Sequence, residues 1–241
     1  MMRVLLAFTT AVGLAGGGVL AWDAVEHAPR VENAAYFDSD APLQPKRIII
    51  GLDISKSNPL IDDRDFAAKV GLRIGKIVAG LGFASEVYVR TFGSYDASQN
   101  SFYYDVVIST RARPENVAAE IQKLVSGVPM LVERGRFHPQ RRTNIIGFLD
   151  NVRESIGCTR MPTTIVLASD GIEDSEYARL DNPAEHLPLP EAKSFSHCTS
   201  LQILGVGQGT HSPKTTARLR HEWERWAGAA GFQEFVGLND W

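Results

Sequence analysis

Cysteine is scarce in this 241-residue chain: only Cys158 and Cys198 occur, too few for a small scaffold held together by disulfides. An excess of positive charge is missing as well. Lys and Arg number 25 against 28 Asp and Glu, a formal net charge of -3, so no surface built to neutralise a phosphate backbone is expected, and nucleic acid is not an expected partner. No internal repeat and no Gly-x-Ser-x-Gly is present, and the six histidines, His27, His138, His186, His197, His211 and His221, show no metal-ligand spacing. Serine-hydrolase chemistry therefore has no support. What is present is ordinary for a globular protein: 44% hydrophobic and 22% charged residues, which excludes disordered and fibrous classes and suffices for one domain with a sizeable core.

The chain opens with one cation, Arg3, and an uncharged stretch from Val4 to Trp22. Such a segment directs export, either as a signal peptide cleaved after Ala21 or as an uncleaved N-terminal membrane anchor, and both place the rest outside the cytoplasm, periplasmic or extracellular. Residues 23–45 carry three prolines and no sustained period, the pattern of a linker. A domain is expected over 46–241.

Within it, strand and helix patterns alternate. "RIIIGLD" is a short apolar run, as in a strand buried on both faces. Phe66, Val70, Ile74, Ile77, Val78 and Leu81 then recur at helical spacing up to Gly82. "SEVYVRTFG" and "SFYYDVVIST" are β-branched and aromatic runs that predict a hairpin, so one strand is antiparallel. Further helices are expected from Pro114 to Gly127, from a cap at Thr143 to Gly157, and from Ser212-Pro213 to Gly231, with strands at "TTIVLASDG", "LQILGVGQG" and "FQEFVGL". The alternation predicts a three-layer, doubly wound α/β fold. Its sheet is mainly parallel and six-stranded, with one antiparallel strand, helices on both faces and a site at the carboxyl ends of the strands.

That site is where the sequence is most informative. Asp53, Ser55 and Ser57 occupy alternate positions where the first strand gives way to a loop, Asp170 ends a second buried strand in "ASDG", and Thr143 begins a helix in "RRTNI". All five are oxygen donors, which suits a hard divalent cation: Mg²⁺ first, Mn²⁺ or Ca²⁺ next. Two carboxylates balance its charge, and the neutral hydroxyls leave it electrophilic toward a further anionic oxygen.

These residues resemble a known family. "DISKS" matches the Asp-x-Ser-x-Ser of von Willebrand factor type A (vWA) domains, and Thr143 and Asp170 match the other two elements of their metal-ion-dependent adhesion site, in the same chain order over roughly residues 46 to 238. The resemblance implies strand order 3-2-1-4-5-6. It also implies direct contact of Ser55, Ser57 and Thr143 with Mg²⁺, with Asp53 and Asp170 acting largely through water, and an open position for an Asp or Glu of a partner protein. Lys56 departs from the pattern, standing where many relatives have Gly. The expected function is a non-enzymatic adhesion or assembly module. Two alternatives are a structural domain whose degenerate site needs no metal and, ranked last, a metal-dependent phosphate-ester hydrolase.

Arg134, Arg136, Arg141 and Arg142 directly precede Thr143 and, with Lys56, form either a solvated loop or a basic rim facing an acidic partner. The Pro-rich stretch 181–190 is either part of that face or a tolerated insertion. Cys158 and Cys198 each precede one of two strands expected to be neighbours, so a disulfide is predicted at the sheet end opposite the metal, the alternative being two buried thiols.

Overall fold

A computed structural model describes residues 43–94, 102–210 and 212–241. The expected export segment, most of the expected linker, residues 95–101 and His211 lie outside the described residues. Six strands, β1 (Arg47–Asp53), β2 (Glu86–Phe92), β3 (Tyr103–Val107), β4 (Thr163–Ala168), β5 (Ser200–Leu204) and β6 (Glu234–Leu238), form one sheet in the order β3-β2-β1-β4-β5-β6. Every pairing is parallel except β2 with β3, where Arg90 faces Tyr103 and Glu86 faces Val107. The doubly wound fold expected from the alternation, and the strand order implied by the vWA resemblance, are thus the ones observed.

The helices are α1 (Arg64–Ala79), α2 (Pro114–Ser126), α3 (Val128–Glu133), α4 (Ile145–Ser155) and α5 (Pro213–Ala230). All seven residues of β1 are buried, because the strand lies centrally and helices cover both sheet faces. Ile48, Ile50 and Leu52 join the apolar layer of α1 and α2, while Ile49 joins that of α4 and α5, the alternation a pleated strand imposes. Gly51 shares the second face. A Cβ there would lie 2.7 Å from the Phe148 ring, so glycine is what lets α4 pack directly on β1, with Phe148 stacked on Phe92 at 4.6 Å.

Several boundaries differ from the sequence reading. Helix α1 ends at Ala79 with Gly80 as its cap, not at Gly82, and Leu81 is buried beyond the helix. Helix α3 was not expected: Pro129 in its first turn restarts a helix directly after Gly127. The cap of α4 is Asn144, whose side chain accepts from the Gly147 amide, and not Thr143. The expectation of a membrane anchor is withdrawn: among the described residues no helix is long and apolar enough to cross a membrane, and the segment to which it was assigned, residues 1–22, lies outside them.

The crossover from β4 to β5, residues 169–199, contains no helix. It nevertheless buries Leu180, Leu187 and Phe195 against α5. A long irregular segment leaves backbone groups to satisfy, and polar side chains of α5 do so. Arg218 donates to the Leu180 carbonyl, Arg225 to the Leu187 carbonyl at 2.7 Å, and the buried Glu222 accepts from the Leu187 amide at 3.1 Å while pairing with His186 Nδ1 at 2.7 Å. The stretch 181–190 is therefore fastened to the domain.

Burial alone would raise the Glu222 carboxyl, but the bonds from Arg225, His186 and Leu187 outweigh it and hold the group down at about 2. A depressed folded-state pKa stabilises above the unfolded value and is lost as pH falls through the folded one. Glu222→Gln is accordingly expected to cost roughly 2 kcal/mol at pH 7. The difference from wild type should shrink between pH 5 and pH 2 in urea titrations, and a difference independent of pH would contradict the assignment. Cys158 and Cys198 close the other end of this crossover: they are bonded to each other, with Cα atoms 5.0 Å apart.

Candidate metal centre

β1 and β4 run parallel and end side by side, which brings Asp53 and Asp170 to one place from distant parts of the chain. Asn58 holds the two ends together, its amide donating to the Asp53 carbonyl at 2.7 Å and to the Ala168 carbonyl at 3.1 Å. Each aspartate folds the chain behind it into the same local turn. Asp53 Oδ1 accepts from the Ser55 amide at 2.8 Å, and Asp170 Oδ1 accepts from the Ile172 amide at 2.9 Å, the two-residue reach for which Asp is favoured at turns. After Asp170 the chain needs a left-handed residue, and Gly171 supplies it at φ +73. The Gly171 carbonyl accepts from the buried Trp223 indole at 2.8 Å, so the turn is tied to the core.

The turn at Asp53 carries the two serines forward, with Ser55 Oγ 3.3 Å from Ser57 Oγ. The Ser57 hydroxyl lies against the Asp170 carboxylate and lowers its pKa. Thr143 reaches the same end of the sheet through its backbone. Its amide and carbonyl pair with those of Asp174, at 3.2 and 2.9 Å, in the loop after Asp170. The preceding Gln140 pairs with Ile54 and Lys56, and the following Asn144 amide donates to Gly93. Since Asn144 caps α4, the Thr143 hydroxyl is not consumed by the helix start.

The electrostatics are unusual. Asp53 and Asp170 are buried, and burial pushes Asp53 up to about 6. Asp170 is pushed up to about 7, by burial first and by the Asp53 charge second. Asp53 has both oxygens satisfied, the second by the Ser169 hydroxyl at 2.7 Å. Asp170 does not: its Oδ2 is buried without a hydrogen-bond partner. A buried acceptor left open is costly. Neither carboxyl bonds to a Lys, Arg or His among the described residues.

Among the described residues no three His, Cys, Asp or Glu side chains assemble as a metal cluster. The donor set here is of another kind, two carboxylates and hydroxyls, and it fits a hard cation: all donors are oxygens, one of them buried and unpartnered, and two close negative charges lack a counter-charge.

Lys56 is exposed beside the serines, and Arg134, Arg136 and Arg141 are exposed in the segment leading to Thr143. Arg142 lies 3.7 Å from Asp174. Asp63 caps α1 and is not part of the site. Three residues escaped the sequence reading. Asn58 and Ser169 sit next to the motif residues, and their only signal is that adjacency. Glu173, fully buried and pushed by burial up to about 8, had none: its partners are the amides of Ile145 and Ile146 at 2.8 and 3.2 Å.

No protein-family model and no curated protein matches this chain. Solved structures resemble it distantly. The pilus adhesin SpaC of Lactobacillus rhamnosus GG, in its open conformation, is 16% identical with a TM-score of 0.42, over 83% of this chain and 29% of that one. An aerotolerance-related membrane protein of Bacteroides fragilis NCTC 9343 is 15% identical with a TM-score of 0.44, over 80% and 92%. The ArnB paralog VWA2 of Sulfolobus acidocaldarius is 12% identical with a TM-score of 0.43, over 83% and 43%. This chain thus spans less than a third of the SpaC chain. At such low identity and overlap none of the three bears on the site or its ligand.

Proposed function

We propose that this domain binds a protein partner through a divalent cation, Mg²⁺ in the first place and Mn²⁺ or Ca²⁺ as alternatives, held by Asp53, Ser55, Ser57, Thr143 and Asp170. The observation that supports this best is the open, buried Oδ2 of Asp170 beside a second buried carboxyl and two hydroxyls. Two acids in one dry place repel each other unless a positive charge joins them. When bound, the cation supplies an electrophilic centre that takes an Asp or Glu carboxylate from the partner. The protein's part is to keep the donors in place with the Asp53 and Asp170 turns and the Asn58 clamp. Lys56, Arg134, Arg136, Arg141 and Arg142 then form a rim that favours an acidic surface around that carboxylate. The export segment and the disulfide agree in pointing to a periplasmic or extracellular setting.

Calorimetric titration of the full chain with Mg²⁺ tests the reading. Saturable binding is expected in the wild type and none in Asp53→Ala. A second reading, in which partners dock without metal, draws support from Asp53, whose two oxygens already accept hydrogen bonds from the protein. Partner capture from the extracytoplasmic fraction that survives chelation would favour this second reading, and capture abolished by chelation would favour the first.

A further inference from the structure

We propose that Glu173 is a positioning residue for the candidate cation site, fastening the loop that carries Asp170 to the helix that follows Thr143 and so setting the spacing of those two groups. The inference rests on the cation reading above. Thr143 and Asp170 belong to different elements, and a site built from both works only if the elements keep their register.

The structure contains a device for that. Glu173 follows the Asp170 turn, and its side chain is fully buried. Oε2 accepts from the amides of Ile145 and Ile146 in the first turn of α4, at 2.8 and 3.2 Å, while the Ser175 hydroxyl bonds Oε1. The backbone of Glu173 is itself anchored, its carbonyl accepting from the amide of the buried Leu180 at 2.8 Å. The load path therefore runs from the core through Glu173 into α4. The adjacent Thr143 and Asp174 backbones are paired in both directions, so Glu173 fixes at a second point two segments that already touch at the first.

The strap should govern which ion is accepted. Mg²⁺ demands near-ideal octahedral spacing at about 2.0–2.1 Å, whereas Ca²⁺ tolerates longer and irregular contacts. A loosened strap should hurt Mg²⁺ more. Gln is the conservative replacement, since its oxygen faces the two amides and its NH₂ can donate to Ser175. Asp is one methylene too short to span the same gap.

Calorimetric titration of the full chain with Mg²⁺ and with Ca²⁺, run separately on wild type, Glu173→Gln, Glu173→Asp and Glu173→Ala, tests the proposal. Asp and Ala variants should lose about 10-fold or more in Mg²⁺ affinity, as removal of a supporting group typically does, and less than about threefold in Ca²⁺ affinity. The Gln variant should stay within about threefold of wild type for both ions. Equal losses for the two ions, or an unchanged Mg²⁺ affinity, would reduce Glu173 to a loop-folding residue while leaving the cation reading intact. A wild type that binds neither ion would overturn both. Should Glu173→Ala fail to fold, the contrast between Gln and Asp decides.

Discussion

Asp170→Asn should abolish the proposed cation binding and, in the same step, make the cation-free fold more stable. The two effects have one origin. Asp170 is buried beside Asp53, with one oxygen unpartnered and its pKa pushed up to about 7. Replacing the carboxylate by a neutral amide removes both the buried charge and its repulsion with Asp53, and so relieves the cation-free state. The same replacement removes half of the negative charge that attracts the cation. Loss of about 100-fold or more in Mg²⁺ affinity is expected, at or beyond the upper end for removal of a supporting group. Sites that trade stability for function behave in this way.

The wild type carries a matching pH signature. Both folded-state values, about 6 for Asp53 and about 7 for Asp170, lie above the ordinary aspartate value of 3.8, so the folded state holds more protons than the unfolded one between these limits. Cation-free stability should therefore fall as pH rises from about 4 to about 8, the upper part of that range coming from Glu173, which burial pushes up to about 8. Asp170→Asn should reduce the slope, Asp53 and Glu173 keeping the remainder. Thermal unfolding in chelator across pH 4 to 8, together with calorimetry, provides the check. An Asn variant that is less stable at pH 8, or that keeps its Mg²⁺ affinity, would contradict the account.

Removing the disulfide should have the largest effect on stability. Cys158 and Cys198 are separated by 40 residues, for which the chain-entropy relation gives about 4 kcal/mol. The bond also carries more of the fold here than in a regular doubly wound domain, because the crossover it closes contains no helix and is held by α5 side chains and Cys198. The double replacement Cys158→Ser, Cys198→Ser is expected to lose about that amount in urea denaturation, as is the reduced wild type. Mg²⁺ affinity should stay within about twofold, since both cysteines precede the strands whose far ends carry the site. A large loss of affinity would mean that the crossover transmits strain from one end of the sheet to the other.

Much of the architecture follows from local pattern. Helix α5 runs from the Ser212 cap to Gly231 at φ 94, both readable from residue type, because a hydroxyl before Pro and a glycine after an apolar stripe each answer a local need of the backbone. The mainly parallel sheet with one antiparallel strand follows from alternation together with one hairpin, its strand order is the one the vWA resemblance implies, and "DISKS", Thr143 and "SDG" stand out by spacing and residue chemistry. Local pattern failed where two local solutions compete. Thr143 and Asn144 are both fit to cap a helix, and Asn144 takes the role.

Spacing says nothing about partners chosen across the chain. Ser169 reaches Asp53 over 116 positions, Asn58 joins two strand ends, and Glu173 meets the amides of α4. Each of these bonds exists because β1 and β4 are neighbours and α4 packs on Gly51. The sequence could thus specify which oxygens were available. Folding set their burial, left Asp170 Oδ2 without a partner and put two carboxyls within reach of each other's charge, because a desolvation cost and a Coulomb repulsion depend on distances that only the packed chain defines.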